Sequence, residues 1–493
     1  MHVVFQFDSL EQDVFEILHL IRSWRNTIAP INRIPPEILS LIPDFLDVGE
    51  GGGDVIALTH VCRAWRGVFT SRPALWVDID LDSMGEDQAL VYLERSNSFP
   101  INLSLYADCD GYPHDLIFKI IPQVIGRLKS LSIDGTPEDL QDITARLTGP
   151  APLLEYMQVC GDTPHESGRY LVFTSTLFNG DLSSLRRLSL DCVHTELPWK
   201  NMVNLTSFAL ANTPPDEISV AQLLDFFENA PHLREVDLHF ATPTPGAQSR
   251  RLVSLTCLKR MEISNSGPPS VLLDHLLIPV GAELVLKADL LNSLVGNLLP
   301  RSLDNLDNLS NFTAIKLSID ESCAYMTFSG PNGQVIVIPT IPQGDKTRLA
   351  FRSLAQLDIS RTERFRIRNG HSLPRDVVYR ALLPLKELRV LMLYRCYSPH
   401  IFIYALYPSK SSPEAVVCPK LEEVVLCGSH GVGFDVRNII KMVKARASRG
   451  KKLKTIRIID GWYKPDPEDM LELRRHVGHA EYSPLVGAID DDL

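Results

Sequence analysis

The sequence predicts an α/β chain: a small helical module near the N-terminus, then a long array of short strands alternating with return segments. Three observations carry this. Apolar residues between positions 31 and 80 recur at helical spacing behind proline helix starts. From residue 81 onward a six-residue pattern, apolar at its first, fourth and sixth positions, returns many times. The composition, 45% hydrophobic and 22% charged over 493 residues, is that of a globular protein and excludes global disorder. Length alone allows about three domains of roughly 150 residues.

Composition also excludes several classes. Nine cysteines, none spaced CxxC, are neither a disulfide framework nor a zinc ribbon. No apolar run approaches the ~20 residues of a membrane helix. The start, MHVVFQFDSLEQD, lacks the basic-then-apolar order of a signal peptide. A formal net charge of −11 argues against a general nucleic-acid binder. The expected compartment is therefore cytoplasmic and/or nuclear, with no membrane and no nucleic-acid partner.

Residues 1–30 contain a helical pattern, Leu10, Val14, Ile17, Leu18 and Ile21, expected to pack on the adjoining helical segment. It has too few heptads for a coiled coil. In residues 31–80, Pro35 and Pro36 fit a helix start, where proline's missing N–H costs nothing. Ile38, Leu39, Ile42, Phe45 and Leu46 then share one face. Pro43 is expected to kink that helix or end it early. After the glycine-rich turn over 49–53, Asp54 can cap a second helix carrying Val55, Leu58, Val61, Cys62, Trp65 and Phe69. Pro73 opens a third short turn with Leu75 and Trp76. Three helices in about 50 residues have little core of their own, so their apolar faces need a partner or the rest of the chain.

Three blocks stand in order here: Ile34-Pro35-Pro36-Glu37-Ile38-Leu39, Val61-Cys62-Arg63-Ala64-Trp65-Arg66 and Leu75-Trp76. They resemble the F-box pattern over about a tenth of the chain. The run from Pro30-Ile31 to Leu39 is similar to F-box proteins of mushroom-type fungi. The resemblance implies a three-helix F-box that docks on a Skp-family adaptor and through it on a cullin–RING scaffold. Carried over by position, the adaptor contacts would be Ile34, Pro35, Ile38, Leu39, Ile42, Leu46, Val61, Cys62, Trp65 and Trp76. Trp65 and Trp76 read equally as core.

The six-residue pattern appears at Leu128-Leu131-Ile133, Leu154-Met157-Val159, Leu185-Leu188-Leu190, Leu205-Phe208-Leu210, Leu233-Val236-Leu238 and Leu258-Met261-Ile263. It continues at Phe312-Ile315-Leu317, Leu354-Leu357-Ile359, Leu388-Leu391-Leu393, Leu421-Val424-Leu426 and Leu453-Ile456-Ile458. Starts are 20 to 34 residues apart, except for gaps of 54 and 42 that read as two periods each with an unmatched repeat. This is a leucine-rich-repeat signature: one strand and one return per unit, stable only when neighbours stack. Four returns read as helices, over 137–147, 218–231, 373–385 and 435–450. The usual Asn or Cys after the strand is replaced by Val193, Thr213, Ala241 and Ser266, so the repeats are degenerate. Within the least regular part, 264–350, Val335 to Ile338 reads as a strand behind a hairpin turn. The fold class is thus α/β, an N-terminal three-helix F-box followed by an irregular leucine-rich-repeat solenoid or horseshoe. The segments are 1–30, 31–80, 81–460 for the repeats and 461–493 for a C-terminal tail.

No catalytic set emerges. The glycine-rich runs over 49–53 and 428–433 lack a P-loop lysine, no HExxH or GxSxG occurs, and His476, His479 and Glu481 have poor metal spacing. Cys62 reads as a small apolar packing residue. No cofactor, metal or catalytic residue is expected. In each strand the positions between the apolar ones face outward. Early repeats put polar groups there: Arg187, Ser189, Asp191, then Glu235, Asp237, His239, then Arg260, Glu262, Ser264. Late repeats put Val390, Met392, Tyr394, Val425, Cys427 and Arg457 there. That patch is expected to bind a protein substrate, unless the tail from Gly461 covers it. A basic run, Arg437 to Arg457, holds nine Lys/Arg and offers a second surface, for an acidic or phosphorylated partner. Together these imply the substrate-recognition subunit of a ubiquitin ligase, which does no bond chemistry itself. The alternatives are a non-degradative scaffold, an enzyme built on a repeat fold, and a repeat protein-interaction module whose F-box-like region is only an N-terminal cap.

Overall fold

The computed structural model describes residues 2–45, 53–107, 114–162, 171–173, 177–195, 202–214, 218–241, 243–244, 251–264, 269–289, 305–306, 312–319, 324–331, 333–340, 350–351, 354, 359–369, 373–408, 416–428, 435–459 and 464–484. The chain forms two compact units, Met1–Met202 and Val203–Leu493.

The first unit opens with a helix, His2–Ile28, which ends before the 3-10 turn Pro30–Arg33. Its apolar residues Val14, Ile17, Leu18, Ile21 and Trp24 are exposed. The adjoining turn meets the end of the helix through a polar contact, Asn32 Nδ2 donating to the Asn26 carbonyl at 2.7 Å, and does not cover these described apolar side chains. The side chain of Leu10 lies outside the described residues.

A helical module comes next. A four-residue helix, Pro36–Leu39, gives way to a 3-10 turn, Ile42–Phe45. Pro43 explains the early end: it has no N–H to donate to the Leu39 carbonyl. The single helix expected over 55–69 is two, Gly53–His60 and Arg63–Thr70. Cys62 is extended between them (φ −163°, ψ 173°). The break falls at β-branched residues, where Thr59 turns its hydroxyl onto the Ile56 carbonyl at 2.7 Å. Leu46 and most of the glycine-rich turn lie outside the described residues, as does the side chain of Asp54. Pro73–Trp76 forms the expected third turn.

The unit then builds one parallel sheet. β1 (Asp78–Asp80), β2 (Ile101–Ala107), β3 (Leu128–Gly135) and β4 (Tyr156–Gly161) pair in sequence. β5 (Leu171–Phe173) and β7 (Val193–Thr195) make a small parallel pair, while β6 (Arg187–Asp191) joins β4. The six-residue pattern works as expected. Leu131, Ile133, Met157, Val159, Leu188 and Leu190 are buried in register on one face. Helices Glu86–Arg95, His114–Val124 and Pro137–Thr144 are the returns.

In the second unit β8 (Ser207–Ala211), β9 (Glu235–His239), β11 (Arg260–Ser264) and β13 (Glu283–Asp289) pair in parallel. β10 (Val253–Ser254) and β12 (Leu276–Leu277) form a two-stranded pair beside them. β13 is a parallel strand inside the 54-residue gap that the pattern did not mark. Gly281 holds its first apolar position in register with Leu258, so the pattern could not reveal it. Within the 42-residue gap the described residues form a hairpin. β15 (Ala324–Gly330) runs antiparallel to both of its neighbours, β14 (Ala314–Ile319) and β16 (Gly333–Thr340), and β16 joins β13 in parallel. The expected hairpin thus closes between Gly330 and Gly333.

Parallel order resumes from β14 through β17 (Arg364–Asn369), β18 (Val390–Tyr394), β19 (Glu423–Cys427), β20 (Thr455–Ile459) and β21 (His479–Ser483). The pattern puts a strand at Leu354-Leu357-Ile359; Leu354 is helical and Leu357 lies outside the described residues, and the next described strand is β17. Its inward residues are Phe365 and Ile367, behind a buried Thr362 at the first position. A buried threonine is invisible to an apolar pattern. The expected return helices form as Val220–Asn229, Arg375–Leu382 and Val436–Ala447. Two more, Pro399–Ala405 and Pro467–His476, were unmarked by the pattern. The described part of the tail does not cover the strand face: residues 467–483 form a helix and β21, added beside β20.

A recurrent corner closes these strands. Asn212, Phe240, Arg395 and Gly428 each stand one residue past a strand with φ between 47° and 59°. Each donates its N–H to the last carbonyl of the next strand, at 2.7–2.8 Å. Three of these four are not glycine, so each carries left-handed strain of roughly 1–2 kcal/mol.

Candidate functional site

Two surfaces concentrate the groups that could bind a partner. The first is the helical module. Leu39, Trp65 and Phe69 form its core, with Ile42, Leu58, Cys62, Val68 and Leu75 packed around them. The Trp65 and Phe69 rings meet edge-on at 5.6 Å, and the Trp65 indole N–H donates to Asn32 Oδ1 at 2.6 Å. Trp76 points away from the module surface. Its N–H donates to the Phe69 carbonyl at 3.0 Å, and its ring packs edge-on against Tyr92 at 4.8 Å with the Arg95 guanidinium 4.4 Å away.

Sequence-predicted adaptor residues therefore separate into two sets. Leu39, Trp65 and Trp76 are buried and Ile42 and Cys62 are half-buried; Leu39, Trp65, Ile42 and Cys62 hold the module's core, and Trp76 packs on helix Glu86–Arg95. Pro35, Ile38 and Val61 are exposed, and Ile34 is half-buried. Ile38 and Val61 show 55% and 54% of their surfaces to solvent. Leu41 (44%) and Phe45 (86%) add apolar surface that pattern reading assigned to no contact. A module this small cannot turn every apolar side chain inward, and what remains outside is a surface ready to be covered.

The second surface is the outward face of β17 to β20. Register places Arg364, Val390 and Glu423 in one row, Arg366, Met392, Val425 and Arg457 in the next, and Arg368, Tyr394 and Cys427 in a third. All six late-repeat residues expected at a substrate site, Val390, Met392, Tyr394, Val425, Cys427 and Arg457, line one open groove of about 640 Å³. Val425 and Cys427 form its floor and are nearly covered by their neighbours. Arg457 pairs with Glu423 at 3.0 Å. Pattern reading missed the cations on the groove's other side: Arg364 and Arg366 on β17, and Lys316 on β14. The signal was present in Arg-Phe-Arg-Ile-Arg, whose period of two puts three arginines on one strand face. An apolar pattern passes over this strand because Thr362 stands at its first position.

The basic run from Arg437 to Arg457 is dispersed rather than gathered. Arg437 meets Asp469 at 3.6 Å, Lys454 meets Glu422 at 2.9 Å, Lys444 pairs with Glu472, and Arg446 is buried. Helical and strand directions send its members to different neighbours. His479 and Glu481 lie in β21, and among the described residues no group of three His, Cys, Asp or Glu is placed to hold a metal. On the first unit's strand face, burial and the nearby Asp191 and Asp134 push the Cys160 thiol up to about 11. Burial, with Asp191 alongside, pushes Cys192 to about 12. Both are protonated and poor nucleophiles at neutral pH.

No curated protein matches the chain. Residues 31–82 do match the F-box-like family, and the helical module, with its exposed Ile38, Leu41, Phe45 and Val61, is an F-box-like domain.

Proposed function

We propose that this protein is the substrate-recognition subunit of a cullin–RING (SCF-type) ubiquitin ligase. The F-box-like domain docks on a Skp-family adaptor through Ile34, Pro35, Ile38 and Val61, joined by Leu41 and Phe45. The strands beyond it stack as an irregular leucine-rich-repeat solenoid and hold a protein substrate on their outward face. Such a receptor makes and breaks no bond; it raises the local concentration of substrate lysines beside a charged conjugating enzyme. The observation that carries the reading is the coincidence of the F-box-like match over 31–82 with an apolar surface left open on that segment.

Co-purification with a Skp-family adaptor tests it. Ile38→Asp combined with Val61→Asp places two charges on the exposed face and leaves the Leu39–Trp65–Phe69 core intact. Binding should fall by at least about 30-fold, the scale of losing one or two interface anchors, with an unchanged circular-dichroism melt. Adaptor binding at the parental level by the double variant would sink the proposal.

A further inference from the structure

The groove on β17 to β20 is unusual for this chain in its charge. The protein carries a net charge of −11. Among the described residues the groove is lined by Lys316, Arg364, Arg366 and Arg457 with one carboxylate, Glu423, which pairs with Arg457. A smaller hollow of about 260 Å³ adjoins it, lined by Lys316, Ser318, Tyr325, Thr327, Arg366, Arg368 and Tyr394, with no Asp or Glu among them. The Arg366 guanidinium stands 4.8 Å from the centre of the Tyr394 ring, which orients it.

The spacing defines what fits. Arg364, Arg366 and Arg368 repeat every second residue, about 7 Å apart on one strand, the interval at which an extended peptide repeats its own side chains. The apolar strip of Met392 and Val425 lies one and two strands away, roughly 5–10 Å from Arg366. A segment crossing the strands covers that distance in about three residues. Guanidinium groups in a row offer paired N–H donors matched to carboxylates.

The geometry points to an acidic peptide segment of a partner protein as the occupant of this groove. Its carboxylates meet Lys316, Arg366 and Arg368. An aliphatic or aromatic side chain a few positions away rests on Met392 and Val425. This rests on the reading of the strand face as the substrate-holding surface and names the chemistry of the substrate.

Fluorescence anisotropy on the full-length protein tests it. The probe is a panel of fluorescein-labelled decapeptides, each with three consecutive Asp and one Leu placed one to four residues before them. Two control panels replace Asp by Asn, or Leu by Ser. At least one Asp–Leu peptide should bind, its Asn counterpart should bind at least tenfold more weakly, and the Ser counterpart should lose several-fold. Affinity should fall steeply with added salt. Arg366→Glu with Arg368→Glu, on exposed and half-exposed positions of a strand that keeps its inward Phe365 and Ile367, should abolish binding while adaptor co-purification is retained. Met392→Asp should do the same through the apolar strip. Equal binding of the Asn panel, absence of binding by the whole Asp panel, or unchanged binding by the arginine variant overturns the assignment. So does binding confined to a chain ended after Pro484, which would make Asp490–Asp492 of this protein the occupant. Loss of adaptor binding with peptide binding intact would count against the ligase reading alone.

Discussion

At the scale of single residues, the second unit holds a cation in its interior. Arg446 donates from Nη1 to the Val417 carbonyl at 2.8 Å and the Leu406 carbonyl at 3.4 Å, and from Nη2 to the Cys418 carbonyl at 2.7 Å. Leu406 caps the end of helix Pro399–Ala405, so the charge faces a negative helix terminus. Burial lowers the guanidinium's pKa and pushes the Cys418 thiol up to about 12. A planar fork reaches these carbonyls together, and a lysine cannot. Arg446→Lys should therefore lower unfolding stability by about 2–4 kcal/mol in urea titration, the cost of leaving buried carbonyls unpaired; a loss under about 0.5 kcal/mol would contradict this. Asp237 and Glu262 face each other across β9 and β11 and differ in sign. Burial and the Glu262 charge raise the Asp237 pKa. Burial alone would raise Glu262 too, but hydrogen bonds from Lys287 and Arg260 outweigh it and hold it below the usual carboxylate range. The contribution of Glu262 is present above the ordinary glutamate pKa and is lost as pH falls through its depressed folded value. That of Asp237 is present at low pH and is lost as pH rises through its raised folded value. At pH 7, Glu262→Gln should destabilise by about 1 kcal/mol while Asp237→Asn is neutral or stabilising, as read from denaturation curves at pH 7 and pH 4.

At the scale of elements, local sequence explains helix starts better than strand ends. Helix Val220–Asn229 begins with a capping box: the Gln222 N–H donates to Ser219 Oγ, and the Ser219 N–H donates to Gln222 Oε1. Ser219→Ala should lower stability by about 1 kcal/mol in equilibrium unfolding. Strand ends are decided by neighbours. A Cβ at Gly161, the last residue of β4, would lie 2.8 Å from the Cys192 carbonyl oxygen, so even Gly161→Ala should lower the melting temperature by several degrees. The N-terminal helix shows the opposite case, an element whose described apolar stripe, Val14 to Trp24, stays exposed. Deleting residues 1–28 should shift the melt by less than about 2 °C, because the apolar side chains described there are already exposed.

At the scale of the whole molecule, the strand array ends in an element that an apolar search did not count. Helix Pro467–His476 and β21 bury Met470, Leu473 and Ala480 against the last expected repeat. Ending the chain after Ile459 should therefore expose β20 and lower the melting temperature measurably. Most of the strand plan was legible, because a period of two inside a longer repeat is written directly in Leu, Ile and Val. Among the described strands, those left unmarked were β13 and β17, whose first positions are Gly281 and Thr362, the strands β1 and β2 ahead of the first match, the short pairs β5–β7 and β10–β12, the hairpin strand β15, and β21. The candidate site was half legible. Its apolar half lies on strands that obey the pattern, while its cationic half lies on β17, the strand that departs from it.

The sequence by itself determined the helical module, the alternation of strands and returns, and the apolar residues that every strand turns inward, since each depends on local spacing and side-chain chemistry. Only the tertiary structure decided which of those groups face a partner. It buried Trp65 and Trp76 within the first unit, left Ile38 and Val61 outside, dispersed the basic run of 437–457 among neighbouring carboxylates, and brought Arg364, Arg366 and Lys316 beside Met392 and Val425. The physical reason is that inward or outward facing is set by the chain, whereas which outward groups stand side by side is set by strand register between segments tens of residues apart.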